Sequence, residues 1–256
     1  MARVKTLVLR ASGTNCDAET AFAFQQAGAE AELVHVNRLI QREERLADYQ
    51  ILVIPGGFTY GDDISGGKIL ANELKLKLGE EIDRFIGSGG LVLGICNGLQ
   101  VLAKAGILPE PAAGGTSRLT LMTNDSGRFE CRWVHLAVNR DSPCIFTRGI
   151  ERMYLPVAHG EGKVVVDPSL LPELNTVLSY TDEQGNTGAG YPANPNGSVA
   201  DIAGICDESG RIFALMPHPE RYIRSTQHPQ WTRLGIKGQG DGLQVFLNAV
   251  NWVKAS

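Results

Sequence analysis

The sequence predicts an α/β protein with a mostly parallel central sheet flanked by helices, and with additional antiparallel strands. In the first part of the chain, short and strongly apolar runs alternate with helical patterns. Runs as apolar as Ile51-Leu52-Val53-Ile54 are typical of strands buried on both faces, and their alternation with helices is typical of βαβ units. Between residues 116 and 221, strand-like stretches follow one another with few helices between them, which indicates mixed and antiparallel pairing.

Each predicted element depends on its apolar pattern and on the residues that end it. Helix 17–28 has an apolar face that includes Ala21 and Phe24, and it stops at Gly28. The predicted strands are 6–9, 31–36, 51–54, 91–95, 131–138, 153–157, 163–166, 176–180, 202–206 and 212–216. The other predicted elements are a long amphipathic helix at 69–86, a helix at 99–105, a loop rich in Gly, Asn and Pro at 187–198, and a closing helix at 241–253.

Composition excludes several classes of function. The 256 residues carry 24 basic and 28 acidic side chains, a net charge of -4, so charge gives no reason to expect binding to nucleic acid or to an anionic membrane. No apolar run is long enough to span a membrane, and the N-terminus has no signal-peptide pattern. The five cysteines form no Cys-x-x-Cys pair and no zinc spacing. We therefore expect a reduced, cytoplasmic protein with no metal site.

The most informative motif is a cysteine in a turn with glycines on both sides, Gly94-Ile95-Cys96-Asn97-Gly98. It lies between a predicted buried strand and a predicted helix. A strand that turns sharply into a helix through this pattern pushes the central residue out at the carboxyl edge of the sheet. The helix N-terminus favours a thiolate there and offers N–H groups to an oxyanion. A buried core cysteine is the simpler alternative for Cys96, but the two glycines favour a nucleophile.

A histidine and a carboxylate follow the last predicted strand, in Met216-Pro217-His218-Pro219-Glu220-Arg221. An extended segment would place the side chains of His218 and Glu220 on one side, and the two prolines would stiffen it. Cysteine, histidine and glutamate together are the groups that nucleophilic acyl transfer requires. Taken alone, His218 is also compatible with an ordinary structural role, but the His-Pro-Glu sequence argues for a functional one. The other four cysteines, Cys16 among them, are expected to be inert.

A glycine-rich segment, Pro55-Gly56-Gly57-Phe58-Thr59-Tyr60-Gly61-Asp62, follows the third predicted strand directly. It is either a tight turn or a loop whose Gly57 N–H forms half of an oxyanion hole, with the Asn97 N–H as the other half. Spacing alone favours neither interpretation. A weaker signal is His159-Gly160-Glu161-Gly162, which is also compatible with a polar hairpin turn.

Together these motifs resemble the class I, triad-type glutamine amidotransferases. Within that class, the closest resemblance is to the glutaminase subunits of phosphoribosylformylglycinamidine synthases, and it extends over nearly the whole chain. The most specific motifs are Pro55-Gly56-Gly57-Phe58-Thr59-Tyr60-Gly61-Asp62, His159-Gly160-Glu161-Gly162 and Asn194-Pro195-Asn196-Gly197-Ser198. The resemblance implies the class I amidotransferase fold, in a single domain covering residues 1–256.

The resemblance also implies a reaction and its partners. The expected activity is hydrolysis of L-glutamine, with ammonia passed to a large synthetase subunit that makes formylglycinamidine ribonucleotide in purine biosynthesis. A small third subunit is expected in the same complex. ATP and Mg²⁺ are expected to be used by the synthetase, and this chain is expected to need no cofactor.

The resemblance assigns residues to roles, and each assignment is an expectation. Cys96 is the nucleophile, His218 the base and acid, and Glu220 the residue that orients His218. Gly57 and Asn97 form the oxyanion hole. The residues expected to contact the substrate are Phe58, Gln100 and His159.

Three other functions remain alternatives at this stage. The chain is also compatible with an amidotransferase module of another pathway, such as guanylate or pyridine-nucleotide synthesis. A cysteine hydrolase or peptidase is a second alternative, although in α/β-hydrolases the acid precedes the histidine, unlike His218 and Glu220. A third alternative is an assembly subunit that kept the fold and lost activity, which the three filled triad positions argue against.

Overall fold

A sheet of nine strands dominates the computed structural model, which describes residues 3–110 and 118–256. Two further strands form a small separate sheet. The strands are β1 (Lys5–Arg10), β2 (Glu30–His35), β3 (Ile51–Ile54), β4 (Leu91–Ile95), β5 (Leu119–Met122), β6 (Glu130–Val138), β7 (Arg152–His159), β8 (Lys163–Val166), β9 (Asn175–Thr181), β10 (Ile202–Cys206) and β11 (Ile212–Leu215). The helices are α1 (Asp17–Gln26), α2 (Val36–Ile40), α3 (Lys68–Lys77), α4 (Gly79–Gly87), α5 (Asn97–Ala105), α6 (Trp231–Leu234) and α7 (Leu243–Ala255).

The large sheet has the order β2-β1-β3-β4-β11-β10-β9-β6-β7. Its first five strands pair in parallel, and the remaining pairs are antiparallel. Following these directions across the sheet, only β10 and β6 run opposite to the others. The prediction of a mostly parallel sheet with additional antiparallel strands is therefore confirmed.

This topology gathers the ends of distant segments at one edge. Every residue of β3 and β4 is buried, as is every residue of β11, so these strands form the centre of the core. The carboxyl ends of β1, β3, β4, β11 and β7 lie at the same edge because these strands run in one direction. The segments predicted to be functional all follow those ends.

None of the described helices is long and apolar enough to cross a membrane.

One predicted helix differs from the structure, and some short elements were not predicted. The single helix predicted at 69–86 is two helices, α3 and α4, separated by Leu78 with φ -126° and ψ 2°. Leu78 is buried, its N–H donates to the Leu74 carbonyl, and its own carbonyl accepts from the N–H groups of Glu81 and Ile82, so it ends the first helix and begins the second. Strand β5 and helix α2 were not predicted. Residues 116 and 117, where the strand-rich part of the chain was expected to begin, lie outside the described residues.

Candidate active site

The turn between β4 and α5 places Cys96 in a strained conformation. Its φ of 52° and ψ of -105° form a backbone conformation that residues other than glycine rarely adopt, because Cβ then crowds the backbone. The flanking glycines explain how the turn is tolerated. A Cβ on Gly94 would lie 2.9 Å from the Gly98 carbonyl, and a Cβ on Gly98 would lie 2.0 Å from the Ile54 carbonyl oxygen. The predicted strand–turn–helix geometry around Cys96 is thus present.

His218 and Glu220 meet at the end of β11. His218 Nδ1 lies 2.6 Å from Glu220 Oε1, and both side chains are buried. The segment was expected to be extended, and that expectation is wrong, since Pro219–Arg221 forms a 3₁₀ turn. The carboxylate reaches the imidazole across this turn. Because Nδ1 is occupied by Glu220, Nε2 is the ring nitrogen left for other partners, and it has none among the described residues.

The charges around His218 favour its protonated form. Burial by itself lowers the pKa of His218, but the Glu220 carboxylate and the Cys96 thiol oppose this effect, and Cys16 adds to them. The pKa of His218 consequently lies well above its ordinary value. An imidazole that holds a proton beside a sulfur nucleophile is prepared to give that proton to a leaving group.

The proposed oxyanion donors lie on two segments that a network of hydrogen bonds joins. Gly57 has φ 150°, and a Cβ there would lie 2.8 Å from the Gly13 carbonyl oxygen, so this position requires glycine. Neither the Gly57 nor the Asn97 N–H has an acceptor among the described residues. The Asn97 side chain accepts from the N–H and hydroxyl of Thr59 and donates to Asp62. The loop after β3 is therefore fastened to the N-terminus of α5.

A cavity of about 200 Å³ opens beside the sulfur. It is smaller than the roughly 300–1,000 Å³ typical of sites for drug-sized ligands, and it suits a molecule the size of one amino acid. Its wall includes five of the residues singled out in the sequence, namely Gly57, Phe58, Cys96, Gln100 and His159. Three larger cavities lie elsewhere among the described residues, and their walls contain neither Cys96 nor His218.

Gln100 lies in the cavity wall with its amide already engaged. Its Nε2 donates to the Glu161 carbonyl at 2.6 Å, and its Oε1 accepts from Asn97 Nδ2 at 2.7 Å. The Glu161 carboxylate in turn forms an ion pair of 2.9 Å with Lys104. These contacts join α5 to the segment after β7, so the His159–Gly162 motif is not a hairpin turn. It connects β7 to β8, which pairs with β5 instead.

His159 is a neutral hydrogen-bond acceptor in this cavity. Asn124 donates from Nδ2 to the carbonyls of Arg128 and His159, and its Oδ1 accepts from the Gly162 N–H. His159 Nδ1 lies 3.1 Å from that same oxygen, so Nδ1 must carry the hydrogen and Nε2 the lone pair. Nε2 is buried without a partner among the described residues. Burial and the nearby His218 lower the pKa of His159 to about 4.

Sequence reasoning missed Cys16, which was expected to be inert. Its sulfur is buried 4.0 Å from His218 Nδ1 and accepts a hydrogen bond of 3.0 Å from Arg221. The signal was its position, since Cys16 follows the carboxyl end of β1 at the active edge of the sheet. Tyr180 was also missed. It is fully buried, accepts from Asn196 at 3.2 Å, and has its pKa raised by burial and by Cys96.

Comparison with known proteins identifies the family of the chain. Residues 3–253 match the model of the CobB/CobQ-like glutamine amidotransferase domain. The chain is 59% identical over 254 residues to the phosphoribosylformylglycinamidine synthase subunit PurQ of Dehalococcoides mccartyi, covering 99% of each chain. It is 46% identical over 264 residues to the PurQ subunit of Methanococcus maripaludis strain S2, covering 97% of each.

A solved structure shows the same fold. The chain resembles a chain of the PurLQS structure from Thermotoga maritima with a TM-score of 0.75 and 32% identity, over 98% of this chain and 100% of that one. The family model covers almost the whole length of the chain, and the relatives share a high identity with it. Together these matches show the family. The chain belongs to the glutamine amidotransferase family, and within it to the PurQ subunits of phosphoribosylformylglycinamidine synthase.

Proposed function

We propose that this chain hydrolyses L-glutamine to glutamate and ammonia through Cys96, His218 and Glu220, as the glutaminase subunit of phosphoribosylformylglycinamidine synthase. The observation that carries the proposal is the strained turn at Cys96, which places a sulfur beside the His218–Glu220 pair. Nucleophile, proton carrier and orienter are the three roles of a catalytic triad in covalent acyl transfer. The cavity beside the sulfur admits a molecule of glutamine's size.

The first half of the reaction forms a covalent intermediate. The Cys96 sulfur, whose proton His218 holds, attacks the side-chain amide carbon of glutamine, and the carbonyl oxygen takes the negative charge. The N–H groups of Gly57 and Asn97 stabilise that oxyanion. His218 gives its proton to the nitrogen, the carbon–nitrogen bond breaks, and ammonia leaves a glutamyl thioester on Cys96.

The second half regenerates the enzyme. His218, now neutral, accepts a proton from a water molecule as that water attacks the thioester carbon. The carbon–sulfur bond breaks, glutamate leaves, and the sulfur and imidazole return to their starting states. Glu220 holds the imidazole ring in one orientation through Nδ1 and stabilises its positive charge in each half of the cycle.

Substrate selection is assigned to three residues of the cavity. The unpartnered Nε2 of His159 accepts an N–H of the substrate, since its tautomer leaves it no other role in a hydrogen bond. Phe58, at the exposed rim, covers the aliphatic part of glutamine. Gln100, whose amide is engaged with Glu161 and Asn97, shapes the cavity wall against which the substrate packs.

The ammonia is used by partner subunits. The chain delivers it to a large synthetase subunit that converts formylglycinamide ribonucleotide to formylglycinamidine ribonucleotide, in a complex that also holds a small third subunit. The support is the likeness to PurQ proteins and to a chain in the PurLQS structure. We assign ATP and Mg²⁺ to the synthetase and no cofactor to this chain.

Two further assignments belong to the same proposal. The whole chain acts as one amidotransferase domain, supported by a family match over residues 3–253 and by one sheet that takes strands from both halves of the sequence. The compartment is the cytoplasm, where purine precursors are assembled and where thiols stay reduced. All five cysteines are free, which agrees with that compartment.

The test separates ammonia release from ammonia use. In the reconstituted complex, Cys96→Ala should abolish synthesis with glutamine and leave synthesis with added ammonium salt unchanged. The exposed Cys131 supplies the matched control, since Cys131→Ala should change neither rate. Glutamine-dependent synthesis that survived in Cys96→Ala would overturn the assignment of the nucleophile.

A further inference from the structure

A second thiol lies on the side of the His218 ring that carries Glu220. Cys16 Sγ is 4.0 Å from His218 Nδ1, while Glu220 Oε1 is 2.6 Å from the same nitrogen. Gly56 makes this approach possible, because a Cβ there would lie 2.8 Å from His218 Cε1 and 3.1 Å from the Cys16 sulfur. The ring and the sulfur are thus packed against the same glycine.

Cys16 is itself held firmly in place. Its N–H donates to the Gly56 carbonyl at 3.2 Å, and its own carbonyl accepts from the Thr20 hydroxyl at 2.6 Å. Its sulfur lies 3.2 Å from Asn15 Oδ1 and accepts from Arg221 Nη2 at 3.0 Å. The side chain is 1% exposed, so water does not compete for these contacts.

We propose that Cys16, fixed by Arg221, is a positioning residue for the imidazole of His218. It acts through the ring and does not touch the substrate. This inference rests on the proposed function, in which His218 carries the proton. Cys16 places a polarisable sulfur beside the Nδ1–H group, where it supplements Glu220, and Arg221 keeps that sulfur oriented towards the ring.

A metal site is the alternative that the same atoms raise. Cys16, His218 and Glu220 present a sulfur, a nitrogen and an oxygen that all lie within 4.8 Å of one another. The Arg221 guanidinium, however, already lies against the sulfur and brings a positive charge to it. Burial lowers the pKa of Arg221, but Cys16 and Glu220 oppose this effect, and the pKa of Arg221 is raised overall. A cation thus occupies the partner position that a metal ion would need.

The proposal predicts the direction of a pH effect. The titratable groups that face His218 are Glu220, Cys96, Cys16 and His159, with Arg221 behind Cys16. Glu220, Cys96 and Cys16 raise the pKa of His218, and burial opposes them. Removing Cys16 therefore lowers this pKa. Since the imidazolium must protonate the nitrogen that leaves as ammonia, the loss of activity on the alkaline side of the pH profile should occur at lower pH in the variant.

The experiment measures glutamine hydrolysis by the reconstituted complex as a function of pH. In Cys16→Ala, the alkaline limb of kcat/KM should move to lower pH and kcat should fall by about tenfold, a fraction of the roughly 10²–10⁴-fold that positioned proton transfer contributes. KM for glutamine should stay unchanged. Cys16→Ser keeps a small hydrogen-bonding group and should restore part of the shift. Cys131→Ala, on an exposed cysteine, is the matched control.

A double-variant measurement tests the link to Arg221. If Arg221 acts by orienting the sulfur, Arg221→Gln combined with Cys16→Ala should lower kcat no further than Cys16→Ala alone. NMR titration of the His218 ring in the folded chain supplies a readout that does not depend on turnover. An unmoved His218 titration and alkaline limb in a folded Cys16→Ala protein would overturn the proposal. Activity in Cys96→Ala would instead overturn the proposed function, so the two failures are distinguishable.

Discussion

Gly98 packs against the carbonyl oxygen of Ile54 so closely that a Cβ on Gly98 would lie 2.0 Å from it. The two residues belong to neighbouring elements, since Ile54 ends β3 and Gly98 lies in the first turn of α5, beside the end of β4. This contact sets how near the helix approaches the sheet. It also sets where the N-terminus of α5, with its free N–H groups, lies relative to the loop after β3.

The first prediction follows from this contact. Gly98→Ala should lower the free energy of unfolding by about 1–3 kcal/mol, the usual cost of overpacking, because the opposing atom is backbone and cannot move aside. Glutaminase activity should fall by more than the loss of folded protein explains. The reason is that the turn at Cys96 and the oxyanion donors move with the helix. Urea unfolding and glutamate release measure the two effects.

Gly87 provides the control for this substitution. It ends α4, and a Cβ there would meet nothing within 4 Å. Gly87→Ala should therefore leave glutaminase activity unchanged and should change the free energy of unfolding very little. If Gly98→Ala were as stable and active as Gly87→Ala, the close approach of helix and sheet would not be required for the site.

Much of this architecture could be predicted because it is written in local patterns. The strands 51–54, 91–95, 163–166 and 202–206 were predicted with the bounds that the structure has. Their apolar runs and flanking glycines are signals that depend on few distant contacts. The turn at Cys96 was predictable because both glycines stand in a recognisable five-residue pattern, although the atom that excludes a side chain at Gly98 is the carbonyl oxygen of the distant Ile54.

The parts that could not be predicted depend on contacts across the fold. Leu78, with φ -126° and ψ 2°, interrupts a stretch whose amphipathic pattern predicted one continuous helix. The side chain of Glu220 reaches His218 because Pro219–Arg221 forms a 3₁₀ turn. The sequence pattern instead predicts an extended segment, in which alternate side chains lie on one side. Cys16 contacts Arg221 and His218, which lie 205 and 202 positions further along the chain.

The second prediction concerns selective labelling. A diazo-ketone analogue of glutamine should label Cys96 and spare the other four cysteines. Cys96 combines a helix N-terminus, a neighbouring histidine and an open cavity, whereas Cys16, Cys144 and Cys206 are buried away from it. Iodoacetamide, which needs no binding site, should label the exposed Cys131 as well. Peptide mapping that placed the analogue mainly on Cys16 or Cys131 would contradict the site.

The third prediction links His159 to stability. The pKa of His159 is about 4 in the folded protein, against an ordinary value of 6.5. Between these pH values His159 is protonated in the unfolded chain and neutral in the folded chain. Acidification therefore favours unfolding. Relative to His159→Gln, the wild type should lose about 3 kcal/mol of unfolding free energy as the pH falls through this window.

Urea unfolding of the two proteins at several pH values measures this difference. His218, whose raised pKa has the opposite effect, is present in both and largely cancels. Its stabilising contribution is complete at low pH and is lost as the pH rises through its folded pKa. A difference between the two proteins that stayed constant from pH 7 to pH 4 would show that His159 titrates normally and is not a buried neutral acceptor.

The fourth prediction tests the fastening of the loop to α5. Asn97→Ala removes the acceptor of two Thr59 hydrogen bonds and the donor to Asp62 and Gln100. We expect the free energy of unfolding to fall by about 2–4 kcal/mol, because several buried polar groups lose partners. Activity should fall although the Asn97 N–H remains. Asn139→Ala, on an exposed asparagine, should do neither. Equal behaviour of the two variants would rule out a fastening role.

The last prediction concerns the chain without its partners, in which we expect weak glutaminase activity that the synthetase with bound nucleotides strongly stimulates. The loop that carries Gly57 contains three consecutive residues with positive φ, Tyr60, Gly61 and Asp62. Such a loop is strained, and glycines let it change conformation at small cost.

Partner contact can bias this loop towards the conformation in which the Gly57 N–H faces the oxyanion. A tenfold stimulation requires only about 1.4 kcal/mol of differential binding between the two loop states. A single residue at the centre of a protein interface often supplies more than that. Steady-state glutamate release, measured with and without the partner, ATP and acceptor, decides the matter. Equal kcat/KM in both conditions would mean that the oxyanion hole is already assembled in the free chain.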